Sequence, residues 1–143
     1  MIDACVVDAS VGIKLFLVED LSDKAHRLLN GLTSDPPARF YVPDLFYTEC
    51  ANILWKYVRR FGYPSENARQ DVVDLQALAL RTVSTADVLE PALDLALTYE
   101  ITVYDASYAA LAQQLDMPLI TADLALTRKL EQSSVDVQAL HEL

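Results

Sequence analysis

Cysteine, glycine and positive charge are all scarce in this chain, and each scarcity excludes something. There are two cysteines in 143 residues, Cys5 and Cys50. One falls in a strand-like run and the other in a helix-like run, so both read as small core residues. A disulfide framework is not expected, and a reducing cytosol fits. Three glycines and no low-complexity tract argue against long disordered segments. No apolar run approaches the roughly 20 residues that span a bilayer. No basic stretch leads into a long apolar one at the N-terminus, so neither a membrane span nor a signal peptide is expected and a cytoplasmic location is. Lys and Arg number 11 against 21 Asp and Glu, a net charge of −10. That balance argues against gripping nucleic acid through bulk positive charge. It leaves a metal site, a basic protein partner or plain solubility.

What is present is apolar bulk and a regular alternation of elements. Hydrophobic residues make up 52% of the chain, enough for one domain over residues 1–143 to build a core. Strands are expected at 2–7, 40–43, 82–85, 118–121 and 135–140. Helices are expected at 9–16, 21–32, 44–61, 64–80, 86–99, 104–115 and 123–132. The long helix is the clearest: Phe46, Cys50, Ile53, Leu54, Tyr57 and Phe61 recur at spacings of three and four, and Gly62 stops it. Pro64 and Ser65 open the next. Strands alternating with helices are the pattern of a parallel α/β sheet covered on both faces.

"CVVDAS" (5–10) and "TVYDAS" (102–107) place an acid after a short apolar run twice, at Asp8 and Asp105. Asp123 follows "PLITA" in the same way. In open parallel sheets ligands bind beyond the carboxyl ends of the strands, so three acids are expected at one edge of the sheet. The plain alternative is capping, since Asp at a strand-to-helix junction suits a helix N-terminus. Glu49, on the shoulder of the long helix's apolar stripe, is a fourth acid; Glu is seldom buried unless paired or bound to metal. Four carboxylates brought together repel one another, and a divalent cation resolves the repulsion. All-oxygen ligation suits Mg²⁺, with Mn²⁺ a possible substitute. His26 and His141 carry no zinc spacing and read as surface residues.

The chain resembles the PIN domain, and within it the VapC toxins of bacterial and archaeal toxin–antitoxin pairs. "VVDAS", "TECANIL", "VYDASYAALA" and "PLITAD" match the family's four motifs in order and spacing, over nearly the whole chain. The resemblance implies a PIN-like three-layer α/β/α fold with a central parallel sheet. It implies Mg²⁺-dependent endoribonuclease activity, with Asp8, Glu49, Asp105 and Asp123 as the acidic quartet that serves as catalytic and metal-binding residues. Ser10 and Thr121 match small hydroxyl positions beside the quartet, and Asn52 an Asn that often follows the Glu. A cognate antitoxin and a homodimer are implied as partners.

An acidic nuclease must hold RNA by local bases. Glu49, Lys56 and Arg60 fall within about 40° of each other on an ideal helix, with Arg59 nearby. Lys14, following the first acid, is another candidate. The alternative is a solvated helix end, where the dipole favours bases. Trp55 lies off the apolar stripe and is the better interface candidate. Two other phosphate chemistries fit less well. A dehalogenase-type phosphatase wants a second Asp where Ser10 stands. A response-regulator receiver wants an acidic pair and a late Lys that "ITAD" does not offer. A binding module whose acids are only caps remains the non-enzymatic reading.

Overall fold

Residues 2–143 are described by the computed structural model. Cys5, Val6 and Val7, wholly shielded from solvent, form β1 (Ala4–Val7) at the middle of a five-stranded sheet. Its other strands are β2 (Arg39–Pro43), β3 (Arg81–Val83), β4 (Leu119–Thr121) and β5 (Val137–Ala139), in the order β3-β2-β1-β4-β5. All four pairings are parallel, with Val6 opposite both Tyr41 and Leu119. A central parallel strand is covered on both faces, which is why it reads as an unbroken apolar run rather than an alternation.

Seven helices among the described residues cover the sheet: α1 (Ala9–Gly12), α2 (Ser22–Leu29), α3 (Leu45–Phe61), α4 (Ser65–Ala77), α5 (Leu89–Tyr99), α6 (Val103–Leu115) and α7 (Leu124–Lys129). The architecture is the three-layer α/β/α arrangement of a PIN fold, and one core runs through it. No helix among the described residues is long and apolar enough to cross a membrane.

Several expected helices are shorter than their sequence patterns. The one expected over 9–16 is a single turn, α1, followed by a 3₁₀ turn at Ile13–Leu15. The one over 21–32 likewise ends in a 3₁₀ turn, at Asn30–Thr33. Such tightening is common at helix ends. The α1–α3 contact explains Gly12: a Cβ there would lie 2.6 Å from the Phe46 ring. Gly62 closes α3 in the left-handed region, at φ 67°, where glycine carries no Cβ penalty.

The topology fixes where a ligand would bind. From β1 the chain moves outward to β2 and β3, then crosses back to β4 on the other side of β1 and on to β5. The strand order therefore reverses between β1 and β4, and the crevice beyond their carboxyl ends is the sheet's switch point. Asp8 follows β1, and Ala122 and Asp123 follow β4.

Candidate active site

Asp8 occupies the position preceding α1, but its side chain makes no capping bond there. Its Oδ2 instead accepts from the Ser10 hydroxyl at 2.5 Å and the Thr121 hydroxyl at 2.9 Å. Ser10 Oγ also accepts from the Ala122 amide, and Thr121 Oγ1 from the Asp123 amide. The two hydroxyls thus lock the ends of β1 and β4 together around one carboxylate. Asp8 is only 5% exposed and none of the ion pairs among the described residues includes it. Burial pushes its carboxyl above the usual range, the two hydroxyls pull it down, and the charge of Asp123 adds to the rise. A buried acid with only neutral donors is in want of positive charge.

Glu49 sits on the second turn of α3, half-buried. Its Oε1 accepts from the Tyr108 hydroxyl at 2.6 Å. Burial raises its carboxyl, the Tyr108 bond opposes this, and Asp8 and Asp105 raise it further. Asp105 lies in the first turn of α6, also half-buried. Its carboxyl is pushed up to about 6 by burial and then by Asp8 and Asp123, with Thr102 and Lys129 acting weakly the other way. Each of the four acids is therefore coupled to at least one other, although Asp8 follows β1, Glu49 lies on α3, Asp105 on α6, and Asp123 precedes α7.

The likeness of the two "DAS" stretches is misleading. The run before Asp105 is not a strand: Val103 and Tyr104 already belong to α6, and Thr102 is its cap, accepting from the Asp105 amide. Capping does describe Asp123, which is exposed and whose Oδ1 accepts from the Ala125 and Leu126 amides at 3.0 and 3.1 Å. The four acids thus differ: Asp8 and Asp105 carry no helix cap, Glu49 is held by a tyrosine, and Asp123 both caps α7 and faces the others.

No three His, Cys, Asp or Glu side chains among the described residues close together on one point; the four acids meet as neighbouring charges. One oxygen of Asp8, one of Glu49 and one of Asp123 already serve hydroxyl or amide donors, and like charges without a counter-ion keep apart. The donor set nonetheless fits Mg²⁺. That ion keeps several waters and is held through one or two carboxylates together with substrate phosphates, not in an all-protein cage. Asp8, fixed by two hydroxyls, is the anchor such an ion would use.

One expectation needs correcting, that of Lys14. Its ammonium is buried and donates to Glu19 Oε1 at 2.9 Å, while Tyr57 donates to the other oxygen of Glu19. Lys14 braces the turn after α1 against α3 and has no charge to offer a phosphate. Asn52, Lys56, Arg59 and Arg60 are exposed on α3, with the Arg59 guanidinium 5.4 Å above the Trp55 ring. Both cysteines are buried and free, and burial raises the Cys5 thiol to about 12, as core thiols behave. Two residues were missed in the sequence. Lys129, at the end of α7, is a base whose charge reaches Asp105. Tyr108 holds Glu49, and its signal was a lone large polar-tipped residue in the alanine-rich run "DASYAALA".

The family model for the PIN domain matches residues 5–130. The chain belongs to the PIN-domain family. Within it the chain is similar to VapC ribonucleases: Ribonuclease VapC3 of Pyrobaculum aerophilum is 36% identical over 126 residues, covering 87% of this chain and 92% of that protein. The fold agrees with a crystal structure from the same organism at a TM-score of 0.70 and 21% identity, covering 99% of this chain and 91% of the other. It agrees also with a toxin–antitoxin complex from Klebsiella pneumoniae at 0.68 and 18%, covering 97% and 99%.

Proposed function

We propose that this chain is a Mg²⁺-dependent endoribonuclease, the toxin of a type II toxin–antitoxin pair. The observation that carries the reading is Asp8: a carboxylate buried at the switch point, held only by hydroxyls and surrounded by three further acids. Its 36% identical relative is named a VapC ribonuclease, and nuclease chemistry gives such a cluster a purpose. Bound Mg²⁺ supplies a more acidic attacking water and neutralisation of the charge that builds on the phosphate. The chain's own residues do the rest. Asp8, pinned by Ser10 and Thr121, fixes the origin of the site. Glu49 and Asp105, both raised by burial and by neighbouring charge, are the acids able to accept and release a proton or orient the attacking water. Asp123 closes the far side while capping α7.

RNA phosphates are held by bases set apart from the acids. Lys56 and Arg60 share Glu49's face of α3, at about 10 and about 16 Å along the axis; this suits phosphates a few nucleotides from the cut. Lys129 lies nearer, beside Asp105. An antitoxin segment would dock in the apolar groove between α3 and α4, a cavity of about 240 Å³ lined by Ala51, Trp55, Val58, Ala68 and Val72. The Klebsiella neighbour, a toxin–antitoxin complex, supports such a partner. A homodimer would cover the stripe Leu89, Leu93 and Leu97 of α5 with Tyr104 beside it, side chains 48–73% exposed and spaced by helical turns.

The test is cleavage of a labelled single-stranded RNA with Mg²⁺, with Mn²⁺ and with chelator, for wild type and Asp8→Asn. Cleavage that needs the ion and is lost in Asp8→Asn is expected. Cleavage that survives both chelator and the substitution would overturn the proposal.

A further inference from the structure

Residues 106 to 112 of α6 are all buried. Four of the seven are alanines, which let the helix lie close to its neighbours, and among them Tyr108 is the largest fully buried side chain of the protein. A phenol in such a place loses water and must find a partner inside. It has one: Glu49 Oε1, at 2.6 Å on α3. The bond is charge-assisted, hence short and directional. Tyr108 also stands one turn beyond Asp105 on the same face of α6.

The two partners are unequally constrained. The Tyr108 ring is packed on all sides, with no exposed surface. Glu49 is half-buried, with three rotatable bonds, and the charges of Asp8 and Asp105 act on it. Left alone, that repulsion would turn the carboxylate outward to water. The rigid hydroxyl is the one side-chain donor that Glu49 has among the described residues, and it engages Oε1 while leaving the other oxygen without a side-chain donor.

We propose that Tyr108 is a positioning residue: its buried hydroxyl fixes the Glu49 carboxylate in the crevice, so that one Glu49 oxygen faces the divalent ion and the attacking water. This rests on the nuclease reading above. The partner that orients an ion's ligand commonly contributes about 10- to 100-fold to affinity or activity.

The experiment is a double-substitution cycle on the full chain with Tyr108→Phe, Glu49→Ala and both together. It is read in Mn²⁺ affinity by calorimetry and in kcat and KM for RNA cleavage. Tyr108→Phe is expected to weaken Mn²⁺ binding and lower kcat by about tenfold or more, with KM for RNA within about twofold. In the Glu49→Ala background the same change should do little, because the group it positions has gone. Additive losses would overturn the proposal, as would a Tyr108→Phe variant with wild-type Mn²⁺ affinity and kcat. A Tyr108→Phe variant that does not fold, beside a folded Glu49→Ala, would also overturn it, since the phenol would then serve the core and not Glu49. Wild-type protein that binds Mn²⁺ without cutting RNA refutes the nuclease reading alone, and the cycle in Mn²⁺ affinity still decides the role of Tyr108. Wild-type protein that binds no Mn²⁺ refutes both.

Discussion

Replacing Asp105 by Asn in the metal-free protein should make it more stable, not less. The Asp105 carboxyl is raised from 3.8 to about 6, so the folded protein holds that proton more tightly than the unfolded chain does. The cost of ionising it is absent below about pH 4 and fully present above about pH 6, and stability falls as pH rises between them. Two pK units correspond to roughly 3 kcal/mol. The side chain is only half-buried, and solvent screening brings this to about 1–2 kcal/mol. Asparagine keeps the shape and removes the charge, and the Asp105 amide bond to Thr102 is untouched. For a chain of this length each kcal/mol shifts the melting temperature by about 2–4 °C. At pH 7.5 in chelator, Asp105→Asn should melt about 2–8 °C above wild type. At pH 4 the two should melt together, and saturating Mn²⁺ should raise wild type more than the variant. Differential scanning fluorimetry at the two pH values, with chelator and with Mn²⁺, measures all of this. An Asp105→Asn variant that melts below wild type by the same amount at pH 4 and pH 7.5 would refute the reasoning, because charge crowding would then not be what Asp105 contributes.

Four other outcomes follow from particular contacts. Asp123→Ala removes the acceptor for two α7 amides and should cost about 1 kcal/mol in urea denaturation, whereas Asp123→Asn, which can cap, should cost little. Gly12→Ala puts a methyl group into the Phe46 ring and should cost about 1–3 kcal/mol by the same assay; a neutral result would mean α1 can move off α3. Lys14→Met leaves Glu19 without its cation. It should lower the melting temperature while leaving KM for RNA unchanged, and a raised KM would return Lys14 to the substrate path. Lys56→Ala and Arg60→Ala should each flatten the dependence of RNA affinity on log salt by about 0.7, one single-strand phosphate contact, with Mn²⁺ affinity unaltered.

The class of the fold, the order of its elements and the identity of the four acids were legible in the sequence. A fully buried parallel strand must be an apolar run and a half-buried helix must show a 3.6-residue stripe, so β1 and α3 announced themselves in "CVV" and in Phe46, Cys50 and Leu54. These are local consequences of burial, and they survive in a one-dimensional text. The strand order was not legible. It placed Asp8 and Thr121 side by side, 113 residues apart, and so made a hydroxyl-held acid out of two unrelated strand ends. The roles of individual charges were also decided only in three dimensions. Lys14 and Lys56 are the same residue type beside motif acids, yet one is buried on Glu19 and the other faces water. Asp8 and Asp123 both follow strands, yet only Asp123 caps a helix. The ring of Tyr108 is core, but what its hydroxyl does depends on α3 bringing Glu49 within its reach. Burial pattern is written along the chain because water acts on each residue separately. A pairing between distant side chains is a property of two residues at once, and only the packed fold brings them together.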